Sequence, residues 1–380
     1  MTDRPARTAG PAWEKFGPPL TLVVLIAATA IYQRLSGRGS TFLSLENFRN
    51  ILADWSFVGI IALGMTFVII SGGIDLSVGS LLALAGGSAI WLMNTAINAV
   101  SIRQEMDDAR TISLPLPYTE FRALLAKIFI VTHISGSETS GVLLAVFAAL
   151  VVGILAGTIN GWLISRANIA PFIVTLGGLA AFRSIAMAMI DGGTFDSTST
   201  NSFPRFAESG VPIPGAHLGG GLPLVIPYPA ILFVALALVM AVLLNRTRFG
   251  RYTLAIGANE SAARFSGVDV RKIRMRVYVL IGVLTGLAGL LVASHTNSVS
   301  SGSTGQLYEL DAIAAVVVGG TRMTGGSGTI LGTVIGVLIL GVIGNMLNFL
   351  DVSIYLQGLV KGGIIVAAAL VQQAGRRKFE

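Results

Sequence analysis

Ten stretches of predominantly apolar residues succeed one another along the chain, at residues 19–32, 51–70, 76–98, 141–165, 171–190, 230–245, 277–295, 310–320, 330–350 and 354–371. An α-helix rises about 1.5 Å per residue, so about 20 such residues cross the roughly 30 Å hydrocarbon layer of a bilayer. Inside that layer every backbone N–H and C=O must find a partner within the protein, which leaves the helix as the state for most of these runs. Of the 380 residues 53% are hydrophobic and only 12% charged, whereas a soluble domain carries about 25% charged residues. The sequence therefore predicts an all-α polytopic membrane protein of about ten transmembrane helices. It has a leading segment 1–18, a single transmembrane domain over 19–371 and a tail 372–380. The eighth run, 310–320, is too short to cross as a helix alone and is expected to be broken or re-entrant. Gly319, Gly320, Gly325, Gly326 and Gly328 permit irregular backbone there, provided it is buried in protein or lines a cavity.

Alternation of the spans sorts the 26 Lys and Arg residues onto two sides. With the amino terminus inside, sixteen fall on the inner side and eight on the outer, with Arg183 and Lys361 within spans. Cytoplasmic segments of membrane proteins carry the excess of Lys and Arg, so both termini are expected in the cytoplasm. The same bias explains the net charge of +7 without invoking nucleic acid, and the basic residues suit membrane lipid head groups. The first run lacks a small-residue cleavage site after it and is expected to be retained as a span, not removed as a signal peptide. Two outer segments are long: an insertion at 99–140, with an interfacial helix expected at 121–132, and a loop or partial cap at 191–229 rich in Gly, Pro, Ser and Thr.

Several chemistries are excluded by what the chain lacks. There are no cysteines, and His133, His217 and His295 stand singly without ligand spacing, so no metal site is expected. No phosphate-binding G-x-x-x-x-G-K-[ST] loop occurs; the glycine-rich stretch at 319–328 lacks its Lys-Ser/Thr ending. No nucleophile motif and no paired intramembrane carboxylates are evident, so no catalytic residue and no cofactor are expected.

One long charged segment interrupts the oily chain. Residues 245–276 hold Arg246, Arg248, Arg251, Arg264, Arg271, Lys272, Arg274 and Arg276. In its middle, 259–267 predicts a short helix: Asn259 can cap free amides, Glu260 sits where the helix dipole favours an anion, and Gly267 can take the left-handed closing position. A capped helix between two basic arms suits a grip by another protein. Ala262 and Ala263 allow close approach, and Phe265 is an anchor.

A sparse polar set lies within the spans: Thr66, Ser88, Asn160, Thr175, Arg183, Asn345, Asn348 and Gln357. Such groups hydrogen-bond helices together, and neutral amides and hydroxyls also suit an uncharged polyhydroxylated solute. The stretch "SGGIDLSVGS" at 71–80 breaks the apolar run between spans two and three. Asp75 or Ser77 there either caps the third span or lines a polar path. Arg183 either snorkels outward or faces a cavity. Asp75, Ser77, Thr175 and Arg183 are the expected path residues. Small-residue sets at Gly153/Gly157/Gly161 and Gly332/Gly336 are expected packing faces. The segments "GTING" (157–161) and "GTVIG" (332–336), with Asp75 and Asp311 each preceding an apolar run that ends in a glycine pair, fit either a diverged duplication or chance.

Four blocks, "IALGMTFVIISGGIDLSVGSLLALAGG" (61–87), "GTINGWLI" with "APFIVTLGGLAAFRS" (157–184), "GRYTLAIGANESAARFSGVDVRKIR" (250–274) and "ELDAIAAVVVGGTRMTGGSGTILGTVIG" (309–336), resemble the permease subunits of bacterial ABC sugar importers of the ribose/xylose/autoinducer-2 type. The resemblance implies a non-catalytic, multi-pass protein of the bacterial inner membrane that pairs with a second permease copy or paralogue. It also implies two cytoplasmic ABC ATPase subunits and an extracytoplasmic solute-binding protein. On that resemblance Asn259, Glu260, Ala262, Ala263, Phe265 and Gly267 match the coupling helix that docks in the ATPase, with Ser261 as a departure in register. The 99–140 insertion departs from the family's tighter connection. An ion-coupled carrier of a small polar solute is the alternative class.

Overall fold

A computed structural model describes residues 12–35, 42–108, 116–132, 134–217, 223–353, 356–360, 362–363 and 366. The chain begins with α1 (Ala12–Leu35), α2 (Leu45–Ile70) and α3 (Val78–Ile97). A helical pair, α4 (Ala99–Asp108) and α5 (Leu116–Val131), follows, then α6 (Glu138–Ser165) and α7 (Pro171–Ala188). The next connection holds β1 (Thr194–Asp196), α8 (Ser202–Glu208), β2 (Gly210–His217) and β3 (Pro223–Pro227), and leads into α9 (Tyr228–Arg246). The charged segment forms α10 (Arg248–Ala258) and α11 (Glu260–Phe265); α12 (Val270–Thr296), β4 (Ser298–Ser300), α13 (Tyr308–Val318) and α14 (Ile330–Phe349) complete the order.

Seven helices among the described residues are long and apolar enough to cross a membrane: α2, α3, α6, α7, α9, α12 and α14. They coincide with the second to seventh and the ninth apolar runs. The first run lies in α1, whose apolar part is Pro19–Arg34, and most of the tenth lies outside the described residues, as does the tail 372–380. The seven differ in burial, and that sorts them into layers. The most apolar stretches of α2 and α12 are 83% and 78% buried, whereas those of α6, α7 and α9 are 33%, 28% and 28%. Thus α2 and α12 form the core. The wall helices present Leu143, Phe147, Phe172, Leu238 and Val242 outward, as lipid-facing helices must.

Close helix approach at the core depends on missing side chains. A Cβ on Gly157 of α6 would lie 2.4 Å from Tyr278 O of α12, and one on Gly282 of α12 would lie 2.3 Å from Gly153 O. No side chain fits there, so the expected α6 face is a backbone-to-backbone contact, the geometry that small-residue faces permit in membranes. Gly336 of α14 meets Ala315 O of α13 in the same way. Polar side chains add links: Thr66 and Thr333 hydroxyls lie 2.7 Å apart between α2 and α14, and the amides of Asn47 and Asn345 exchange two hydrogen bonds of 2.9 and 2.8 Å.

The eighth run is resolved as a half-helix. After α12 the chain turns back through β4, which pairs antiparallel with β1, and the 301–307 turn sinks between helices until Gly305 abuts Gly79 in the first turn of α3. Only then does α13 begin. Its eleven residues extend about 16 Å, and the turn that follows reaches the end of α2, where Gly326 N–H donates to Ile70 O at 2.9 Å. Strand, turn and half-helix together make one passage through the bundle.

The insertion folds on itself. Ala99 and Ile102 of α4 pack with Ala126 and Phe129 of α5 and with Ala96 at the end of α3; α5 covers the helix expected at 121–132, and residues 109–115 lie outside the described part. In the 191–229 connection, Phe203 of α8 is fully buried and its carbonyl accepts a hydrogen bond from Ser294 of α12. That connection is therefore a folded cap, not an open loop.

Candidate functional site

The charged segment gathers at one end of the bundle, here the basic end. Thr247 caps α10, its hydroxyl accepting from Gly250 N–H at 3.3 Å. Gly250, Thr253 and Ile256 turn inward while Arg251, Tyr252 and Ala255 stay exposed. Asn259 then goes extended (φ −160°, ψ 103°) and its side chain accepts Ala262 N–H at 2.9 Å, the N-cap expected from sequence. Gly267, at φ +79°, closes α11: Val268 N–H reaches Ala263 O at 3.1 Å and Gly267 N–H reaches Arg264 O at 3.0 Å, the paired bonds of a glycine C-cap. Ala263 is buried, Asn259 and Ala262 are exposed, and Phe265 stands 93% exposed. Phe265 is thus an exposed aromatic ring on a turn capped at both ends.

Glu260 is engaged internally. Its two carboxylate oxygens take Arg264 at 2.6 Å and Arg274 of α12 at 2.5 Å, which pins α11 onto the second turn of α12. Burial alone would raise its carboxyl, but the Arg264 hydrogen bond and the Arg274 charge outweigh burial and hold it below the ordinary carboxylate range. A carboxyl lowered in this way stabilises the folded arrangement above that range and loses the contribution as acid protonates it. Replacing Glu260 with glutamine is accordingly expected to speed amide hydrogen exchange over 262–266 several-fold with the core unchanged. Acidification below the carboxylate range, corrected for intrinsic exchange, is expected to produce the same rise in the native chain but not in the variant.

Beneath α11, three segments meet at Gly257 of α10. A Cβ there would lie 1.7 Å from Ile70 O and 2.5 Å from Gly326 N. The exposed helix is thus one backbone contact away from the end of α2 and the turn joining α13 to α14.

Three of the four expected path residues meet at the link between α2 and α3. Asp75 accepts Ser77 N–H at 2.9 Å and Ser77 Oγ at 2.6 Å, and Asn160 of α6 donates to Ser77 Oγ at 3.0 Å. Thr175 of α7 donates to Pro171 O at 2.9 Å and approaches Ile74 O at 3.4 Å. All of these groups are buried. Of the two readings of this stretch the side-chain cap is not formed: Ser77 occupies the cap position of α3 without a side-chain cap bond, its hydroxyl being drawn to Asp75. Arg183 does not reach outward. Its Nη1 donates to Ser301 O at 3.0 Å and Thr304 O at 2.9 Å, bracing the re-entrant turn against α7.

A model of the family described as branched-chain amino acid transport system / permease component matches residues 47–369. The chain belongs to this permease family. The permease is 38% identical over 361 residues to the ribose import permease protein RbsC of Bacillus subtilis (strain 168), covering 95% of this chain and 93% of the relative. It is 36% identical over 351 residues to RbsC of Escherichia coli (strain K12), covering 92% of each. To the xylose transport system permease protein XylH of Haemophilus influenzae it is 30% identical over 410 residues, covering 94% and 97%. No solved structure matches.

The permease also holds a polar group that the sequence concealed. Glu309 and Asp311 share the first turn of α13. A Cβ on Gly79 would lie 2.3 Å from Glu309 Oε2, so this carboxylate rests on the first turn of α3, where the helix dipole favours an anion. Glu309 and Arg183 lie within electrostatic reach of each other, as do Asp54 and His295, and Tyr308 and Asp311. Leu307, just before α13, is 54% exposed at φ +66°, a left-handed backbone that costs a non-glycine residue about 1 kcal/mol or more. At the end opposite the basic one, Asp54, Trp55, Asn345, Asn348 and Gln357 face a cleft of about 210 Å³. The signal available in the sequence was "ELDA" at the head of a run too short to span.

Proposed function

We propose that the permease is the membrane-spanning subunit of an ATP-driven importer that carries a monosaccharide by alternating access. The observation that carries this reading is Phe265 standing exposed on a doubly capped turn at the basic end, in a chain whose relatives are named as ribose and xylose permeases. Transport changes no bond in the solute, and ATP is hydrolysed by separate ABC ATPase subunits. The basic end and both termini are cytoplasmic, the opposite end receives solute from an extracytoplasmic binding protein, and a second permease copy or paralogue completes the pair. Asn259, Ala262, Phe265 and Gly267 form the docking turn, with Ala263 and Glu260 holding it to the body. Anionic lipid surrounds the basic end.

On this reading solute enters at the amide-lined cleft and passes Tyr308 and the turn held by Arg183. Asp75, Ser77 and Thr175 keep the link between α2 and α3 in shape beside the path. An ion-gradient carrier is not favoured by the family match. Reconstitution separates the two: labelled ribose or xylose is expected to enter proteoliposomes only with ATP, ATPase subunits and binding protein all present. Uptake by the permease alone down an imposed proton or sodium gradient would contradict the proposal.

A further inference from the structure

The basic end carries a second feature that the docking turn does not use. Where α6 stops and α12 starts, Trp162, Arg166, Arg271, Lys272, Met275 and Arg276 surround a cleft of about 360 Å³. On α12, positions 271, 272, 275 and 276 share one face because they are one turn apart in pairs. Arg166 follows the last turn of α6, and Trp162 precedes it by one turn on the same side. The cleft has two characters: Trp162, 54% exposed, and Met275 form an apolar wall on the bilayer side, and four cations form the rim on the water side. It opens at α6, a wall helix.

Charge at this rim is poorly balanced. Asp269 lies within electrostatic reach of Arg166, but its carboxylate already caps α12 through Lys272 N–H at 3.1 Å and pairs with Lys272 Nζ at 3.1 Å. Among the described residues no ion pair engages Arg166, Arg271 or Arg276. Three guanidiniums that line one cleft repel one another unless an anion sits among them, and a guanidinium matches a phosphate bidentately. An indole at the boundary between apolar and polar layers marks the depth of lipid head groups.

We infer that this cleft is a binding site for an anionic phospholipid, its phosphodiester held by Arg166, Arg271 and Arg276 and its glycerol and upper acyl chain against Trp162 and Met275. The site stands on these residues whether or not the transport reading holds. It lies against the first turns of α12, whose Arg274 grips Glu260, so the bound lipid steadies the base of the docking turn.

The test uses the purified full-length permease in micelles doped with phosphatidylglycerol, phosphatidylcholine or inorganic phosphate, with retained lipid counted by native mass spectrometry. Phosphatidylglycerol is expected to be retained and to raise Tm; phosphatidylcholine and inorganic phosphate are not. At about 1 kcal/mol, or fivefold, per arginine near a lipid surface, replacing Arg166, Arg271 and Arg276 by glutamine is expected to weaken retention on the order of a hundredfold. The charge-matched set Arg246→Gln, Arg248→Gln and Arg251→Gln is expected to weaken it far less. Should the first set fail to fold, brominated phosphatidylglycerol is expected to quench a fluorescence component that Trp162→Phe removes, while brominated phosphatidylcholine is not. Equal retention of the two lipids, equal losses in the two glutamine sets, protection by inorganic phosphate alone, or quenching that Trp162→Phe leaves intact would each overturn the site.

Discussion

Replacing Phe265 with alanine is expected to cut ATP-dependent uptake by roughly 30-fold or more, the consequence of about 2 kcal/mol lost from a docking hot spot. The side chain is 93% exposed and contributes almost nothing to the permease's own core, so the variant is expected to fold and melt like the native chain. Its carrier, α11, is held from three directions: the Asn259 cap, the Gly267 closure and the Glu260 bridges to Arg264 and Arg274. That rigidity lets one ring bear most of the affinity, because little ordering remains to oppose binding. The measurement is co-purification of the ATPase subunits together with uptake at matched permease levels. Native-like association would show that the anchor lies elsewhere.

Substituting Gly257 with alanine is expected to have an effect of similar size for a different reason. The added methyl would meet Ile70 O at 1.7 Å and Gly326 N at 2.5 Å, and both neighbours are backbone, which cannot swing aside as a side chain can. Helix α10 must lift from the end of α2. Such overpacking costs typically about 1–3 kcal/mol, and here it falls on the junction where α10, α2 and the α13–α14 turn meet. In the proposed cycle this junction passes motion of the docking turn to the half-helix. Gly257→Ala is therefore expected to retain ATPase binding through Phe265 while uptake per bound ATPase falls at least tenfold. Full uptake would contradict the junction's role.

Local signals in the sequence were the most legible. The capped turn at 259–267 was readable because a cap, a dipole-matched acid and a closing glycine all act within a few residues. The seven long helices followed from length and hydropathy, and the glycine faces of α6 and α14 from their spacing. What the sequence hid depends on distance. Glu260 looked available to a partner because Arg274, which binds it, lies fourteen residues away on the next helix. Asp75 looked like a cap because its competition for Ser77, backed by Asn160 from α6, is a tertiary arrangement. Glu309 fell just outside the eighth run, although α13 begins at Tyr308, because nothing local reveals that β4 and the 301–307 turn first sink between helices. Arg183 was ambiguous for the same reason: the carbonyls it binds are 118 and 121 residues away.

On the proposed function, Phe265 sits in the ATPase during transport. The chain contains no cysteine, so Phe265→Cys introduces a single thiol without further engineering. In the assembled complex, a short thiol-reactive photocrosslinker at position 265 is expected to join the permease to the ATPase subunit in high yield, and the yield is expected to change when ATP is added. A single cysteine at Thr198, exposed at the opposite end of the bundle, is expected to give no such product. No ATPase adduct from position 265 in a complex that still transports would contradict the account.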